Sequence, residues 1–139
     1  GEACWAGLKE LQKFGHSFAV ISSKKQCNEV PLNPLCDDLK IPYLFTDDDA
    51  EVFRFAQEFA PDALLSMSYR KKIKKEVLDL PRLGAVNFHP SLLPRHRGCF
   101  TGFWVLFEGD SETGVTAHHM TEKFDDGNVI AQIVEQKID

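Results

Sequence analysis

At 139 residues and 43% hydrophobic content, the chain is long enough for one domain with a sizeable core. Its formal net charge of -5 argues against a dedicated nucleic-acid binder, although a local basic patch could survive it. No apolar run approaches the ~20 residues of a membrane span and no signal-peptide pattern opens the chain; Cys4, Cys27, Cys36 and Cys99 form no Cys-x-x-Cys pair, so they read as reduced thiols of a cytoplasmic protein.

Cys4, Trp5, Leu8 and Leu11 recur at helical spacing and predict a helix over residues 2–14, with Trp5 in the core. A short buried strand follows at Phe18 to Ile21, then polar loop from Ser22 to Val30. Asn33-Pro34 has the form of an N-cap followed by proline in the first turn, opening a helix to about Lys40. Pro42 to Phe45 reads as a second strand. Thr46 is the expected cap of the next helix, whose apolar side is Val52, Phe53, Phe55, Ala56 and Phe59. Ala63 to Met67 is a third buried strand. Residues 70–80 predict a short helix with Ile73 and Val77 inward. Its Arg70-Lys71-Lys72 and Lys74-Lys75 form either a solvated face or an anion site. Thr101 to Glu108 predicts a helix with Trp104 in the core, and strands follow over 113–120 and 129–138. Strand and helix alternate through most of the chain, which implies an α/β fold with a parallel sheet covered by helices on both faces. The chain opens on a helix where such sheets usually open on a strand, so a first strand is expected to lie outside it.

Between the third strand and the last helix lies Gly84 to Gly98, GAVNFHPSLLPRHRG. In an extended segment Asn87 and His89 project from one face and Phe88 from the other. Pro90 and Pro94 exclude a helix beyond them. The segment therefore reads as a strand end that presents an amide and an imidazole to a cleft. Such a pair suits attack on a carbonyl, the amide holding a developing oxyanion while the imidazole handles a proton. Neither is a good nucleophile here, so the nucleophile belongs to the substrate. The turn Lys123 to Asn128 offers Asp125 and Asp126 as carboxylates for the histidine, and spacing does not choose between them.

Asn87-Phe88-His89-Pro90-Ser91-Leu92-Leu93-Pro94, followed by Arg97-Gly98, resembles the signature of folate-dependent formyltransferases. That family includes the methionyl-tRNA, amino-sugar and glycinamide ribonucleotide enzymes and a formyltetrahydrofolate hydrolase domain. The resemblance continues through Trp104, Gly109-Asp110, Thr113-Gly114-Val115-Thr116, His118 and Asp125-x-Gly127, covering at least residues 84–132. It implies a Rossmann-like formyltransferase fold, with residues 1–139 a truncated N-terminal-type catalytic domain. It also implies a triad of Asn87, His89 and Asp125 that moves the formyl group of 10-formyltetrahydrofolate to an amine. Asp126 is the rival carboxylate. The pterin is expected on backbone groups of Met67, Ser68, Tyr69 and Arg70 and of Thr121, Glu122, Lys123, Phe124 and Asp125. Met67 and Tyr69 depart from the small or aliphatic residues usual there.

Trp104 and Thr113–Thr116 resemble the methionyl-tRNA and amino-sugar branches more than the glycinamide ribonucleotide branch. The tRNA enzymes carry a C-terminal barrel that these residues lack, and the negative charge disfavours tRNA. A small amine is therefore the expected acceptor, an amino-sugar nucleotide or another phosphorylated amine. A methionyl-tRNA enzyme without its barrel, a hydrolase using the same triad, and a non-catalytic folate-binding module stay open. His118 reads as support for the site or as packing, and His16 and His119 as surface or packing. Arg95-His96-Arg97 either meets a phosphate or holds its loop. A metal site on His96, His118 and His119 has no ligand spacing to recommend it, and none is expected.

Overall fold

A computed structural model describes residues 2–25 and 31–136, and the side chains from Trp5 onward. The expected loop beyond residue 25, Cys27, the side chain of Cys4 and the end of the last strand at 137–138 lie outside the described residues. The chain divides into two compact units, Gly1–Pro61 with Ser68–Leu80, and Asp62–Met67 with Pro81–Asp139.

The first unit runs α1 (Glu2–Lys13), β1 (Val20–Ser22), α2 (Asn33–Asp38), β2 (Tyr43–Phe45), α3 (Asp49–Phe59) and α4 (Lys75–Leu78). β1 and β2 pair in parallel, with Val20 opposite Tyr43. Parallel strands need a long crossover, and the segment carrying α2 supplies it. Leu8, Val20, Leu32, Leu35, Cys36 and Ile41 form the core, with Trp5, Phe18, Leu39 and Phe45 packed around it.

Several boundaries differ from expectation: β1 runs Val20–Ser22, so Ser22 belongs to the strand and not to the polar loop, and Lys24 and Lys25 are helical. Asp48, not Thr46, caps α3: its carboxylate accepts from Ala50 N at 2.7 Å and Glu51 N at 3.3 Å. Thr46 instead donates to the Glu51 carboxylate and accepts from Asp48 N at 3.1 Å. The α2 N-cap is Leu32 rather than Asn33, with no side-chain cap, and Pro34 falls in the first turn, where its missing N–H costs nothing. The 70–80 helix shrinks to Lys75–Leu78. Lys71 reaches away to Asp47 O at 2.6 Å and Asp49 Oδ1 at 3.1 Å, and Lys74 approaches Asp49 at 3.6 Å. These contacts favour irregular backbone over a helix that would align four lysines, and they give Lys71 and Lys74 partners in place of a purely solvated face.

The second unit runs β3 (Leu64–Met67), β4 (Ala85–His89), α5 (Thr101–Phe107), β5 (Glu112–His119) and β6 (Val129–Gln136) in one sheet of order β3-β4-β5-β6. β3 and β4 are parallel, while β4–β5 and β5–β6 are antiparallel. The α/β fold expected from the alternation of elements is present. β3 is half-buried rather than fully buried, with Leu65 exposed. Trp104 is 42% exposed and not a core residue. In a seven-residue helix only one stripe faces inward, and Thr101 and Val105, four apart, occupy it. Phe103, Trp104 and Phe107 pack on one another instead, with centroids 5.4–5.9 Å apart. The most buried side chains of this unit are polar: Ser91 and Thr116 at 0% and His118 at 2% exposure. That composition marks a hydrogen-bonded site rather than an oily core.

Candidate active site

β4 delivers the amide and the imidazole, and antiparallel pairing decides what meets them. Asn87 stands directly opposite His118, and His89 opposite Thr116. Side chains at such cross-strand positions touch. His118 Nδ1 lies 2.9 Å from His119 O, and a carbonyl only accepts, so this nitrogen carries the hydrogen. Nε2 is then an acceptor, and Asn87 Nδ2 donates to it at 3.2 Å. His118 thereby fixes which way the Asn87 amide faces.

Asp125 joins from the turn after β5. Its Oδ1 lies 3.4 Å from His89 Nδ1, 3.4 Å from Asn87 Nδ2 and 3.5 Å from His118 Nε2. Its Oδ2 accepts from Gly98 N at 2.8 Å. The turn is wound so that Asp125 takes a left-handed backbone (φ 51°), which aspartate tolerates better than most residues. Gly127 explains the Asp-x-Gly spacing: a Cβ there would stand 1.7 Å from His119 O, a backbone atom of the adjoining strand. Only glycine lets the turn close against β5.

Asp126 faces elsewhere, pairing with Arg97 at 3.2 Å, and both side chains are substantially exposed. The neighbouring Arg95 and His96 engage Asp110: Arg95 Nη2 donates to Oδ1, and His96 Nε2 lies 2.6 Å from Oδ2. All three residues of the basic triplet are thus paired with carboxylates and hold their loop. The hydrogen bond from His96, with the charges of Arg95 and His96, holds the Asp110 carboxyl below its ordinary range despite burial.

The loop from Pro90 to Gly98 closes over the ring of His89, whose Nε2 donates to His96 O at 2.9 Å. Ser91 Oγ donates to Arg95 O at 2.8 Å. Beneath the loop, Thr116 Oγ1 donates to Ser91 O at 2.6 Å and accepts from Leu93 N at 3.0 Å. Gln132 on β6 donates to Leu93 O at 2.8 Å and Thr116 Oγ1 at 2.9 Å. Thr116, Gln132 and Asp110 were not legible as site residues. Thr116 offers the signal of a polar residue at an inward position of an alternating strand; Asp110, like Thr116, lies within the stretch that resembles the family, which gave neither a role.

The expected pterin residues fall in both units. Met67 ends β3, half-buried, in the second unit. Ser68 (φ 57°), Tyr69 and Arg70 belong to the first unit, and burial pushes the Tyr69 hydroxyl up. Thr121, Glu122, Lys123 and Phe124 form an exposed loop leading into Asp125, closed by Lys123 N donating to Thr121 Oγ1 at 3.2 Å. His96, His118 and His119 do not share partners: His96 meets Asp110, while His118 meets Asn87. Among the described residues, His96, Glu108 and Asp110 bring ligand atoms within 4.8 Å of one another. Arg95 already neutralises Asp110 there, and His96 spends its Nε2 on the same carboxylate, so the cluster does not suit a cation.

A family profile described as formyl transferase matches residues 2–138. The bifunctional polymyxin resistance protein ArnA of Wigglesworthia glossinidia brevipalpis is 34% identical over 126 residues, covering 91% of this chain and 19% of that protein. GDP-perosamine N-formyltransferase of Brucella melitensis biotype 1 is 45% identical over 82 residues, covering 59% of this chain and 32% of that one. Among solved structures, a formyltetrahydrofolate deformylase from Pseudomonas putida KT2440 superposes with a TM-score of 0.75 at 28% identity, over 98% of this chain and 51% of that one. The chain spans about a fifth to a third of the length of these two curated relatives. With a profile match along nearly its whole length, this chain belongs to the formyl transferase family.

Proposed function

We propose that this chain transfers the formyl group of 10-formyltetrahydrofolate to the primary amine of an amino-sugar nucleotide or similar small phosphorylated acceptor. One observation carries the reading: a single carboxylate oxygen, Asp125 Oδ1, lies 3.4 Å from both the His89 ring and the Asn87 amide. These are the groups that an acyl transfer through a tetrahedral oxyanion requires. The donor supplies the formyl carbon. Asn87 gives one N–H to His118, and its second, held loosely by Asp125, is available to the oxyanion. His89 turns its ring to the same oxygen as a protonated donor. Asp125 orients the ring, balances its charge and receives the amine proton through water. Met67, Ser68, Tyr69, Arg70 and the Thr121–Phe124 loop are the proposed folate contacts. Similarity to the Brucella perosamine enzyme supports the acceptor class.

The test is tetrahydrofolate release from 10-formyltetrahydrofolate with a panel of amines, in wild type and His89→Ala. Release that needs both an amine and His89 supports the reading, and the responsive amine names the acceptor. Release that needs His89 but no amine would replace transfer by hydrolysis, the activity named for the Pseudomonas putida relative. Undiminished release by His89→Ala would refute the triad.

A further inference from the structure

Asp110 is buried, sits on the turn after α5, and has its backbone tied to that helix through Asp110 N donating to Val105 O at 3.0 Å. Its two carboxylate oxygens are divided between consecutive loop residues, Arg95 and His96. The His96 and Asp110 side chains are each 7% exposed, so this is an interior contact and not a surface pair. His96 in turn presents its own backbone carbonyl to His89 Nε2. Two hydrogen bonds across one residue therefore connect Asp110 to the imidazole of β4.

The local backbone explains why the connection matters. His96 takes a left-handed conformation (φ 53°), which a histidine does not prefer. Gly98 (φ 90°) and Phe100 (φ 59°) are left-handed as well. A loop wound this way relaxes unless side-chain contacts hold it. Ser91 holds the carbonyl side, and Asp110 holds the side chains. If the loop relaxes, two groups leave together: the His96 carbonyl that takes the Nε2 hydrogen of His89, and the Gly98 N–H that holds Asp125 Oδ2.

We propose that Asp110 is a positioning residue for the reaction, acting through His96 to hold the loop carbonyl that fixes the ring orientation of His89. The inference rests on the reading of His89 as catalytic. With the carbonyl in place, Nε2 bears a hydrogen and Nδ1 faces Asp125. Without it, the ring is free to rotate away from the carboxylate. Asp110 touches none of the reacting atoms, so its loss acts on turnover more than on binding of the donor.

The experiment pairs kinetics with the imidazole signals of His89. Asp110→Asn keeps the shape and removes the charge. His96→Asn removes the ring partner while tolerating the left-handed backbone. For both, kcat for tetrahydrofolate release should fall by about 10- to 100-fold, with KM for 10-formyltetrahydrofolate changing less than about threefold. Long-range ¹⁵N–¹H spectra, assigned by loss of the signals in His89→Gln, should show an Nε2-bound hydrogen of His89 protected from exchange in the wild type and exchange-broadened in both variants. A circular dichroism melt confirms that the variants compared are folded at the assay temperature. Unchanged His89 signals in the folded variants would overturn the positioning role, whatever happens to kcat. Wild-type kcat in Asp110→Asn would overturn it equally. Undiminished turnover by His89→Ala, measured alongside, would instead refute the catalytic reading of His89 itself, which the spectra do not depend on.

Discussion

Thr116→Val tests whether the polar interior described above organises the second unit. The change is close to isosteric, so it removes a hydroxyl with little change in packing. Thr116 is wholly buried, and its oxygen donates to Ser91 O, accepts from Leu93 N and accepts from Gln132 Nε2. Gln132 retains Leu93 O as a partner, but Ser91 O and Leu93 N lose the Thr116 hydroxyl that satisfied them. Each buried polar group left without a partner costs ~1–3 kcal/mol, giving ~2–6 kcal/mol for the two in this variant. Against a total stability of ~5–15 kcal/mol that is a large fraction. The assay is urea unfolding followed by circular dichroism. With a mid-range slope of ~2 kcal/mol per molar, the midpoint should fall by roughly 1–3 M. Thr116→Ser, which keeps the hydroxyl and loses a methyl, should cost no more than ~1 kcal/mol. A Thr116→Val midpoint within ~0.3 M of wild type at unchanged slope would refute the reasoning, because the loop over His89 would then be held by something other than this hydroxyl.

Asn87→Ala, His89→Ala and Asp125→Ala should each lower turnover at least ~100-fold with the fold intact. Asp126→Ala, which loses only an exposed pair with Arg97, should stay within ~threefold of wild type; the reverse result for the two aspartates would move the triad to Asp126. Gly127→Ala should be poorly folded or lose activity, because its methyl has no room beside His119 O; a thermal melt indistinguishable from wild type would contradict that geometry. Acid should act through Asp110. Its carboxyl is held low by the His96 hydrogen bond in the folded chain, so the stabilisation is present above the ordinary carboxylate range and is lost as pH falls through the lowered value. Asp110→Asn should flatten that part of the pH–stability profile, measured by thermal melts, and an unchanged profile would remove Asp110 from the account.

The amide and imidazole of β4 were readable because period-two geometry is local: residues 87 and 89 share a face wherever the strand lies. Asp125 came from the resemblance, since no spacing rule brings a residue 36 positions on back to a strand end. The Asp110–His96 contact was not readable at all. It depends on where a loop of left-handed residues turns, and only Gly98 signals that conformation in the sequence. Thr46 misled for a different reason. Threonine and aspartate are both good caps, and Asp48 wins because its carboxylate reaches two helix N–H groups while Thr46 is drawn to Glu51. Helical spacing likewise placed Trp104 in the core, whereas a two-turn helix has room for a single inward stripe.

Gln132, which steadies the loop over the imidazole, sits on β6, the last strand in the order β3-β4-β5-β6 among the described residues. Among the described residues β6 pairs with β5 alone, all eight of its residues are exposed, and Val129, Ile130, Ile133 and Val134 are at least half exposed. The pairing jumps from Ala117–Ala131 to His118–Val129, leaving Ile130 as a bulge that kinks this edge. An apolar strand with one open side is a template for another strand, and a kink is one of the devices that discourages it. For the residues described, an open edge of this kind makes pairing with a second strand a route by which the site could be lost. For this stretch of chain, a loss of activity that grows with protein concentration would point to Val129–Gln136, some way along the sequence from the proposed triad.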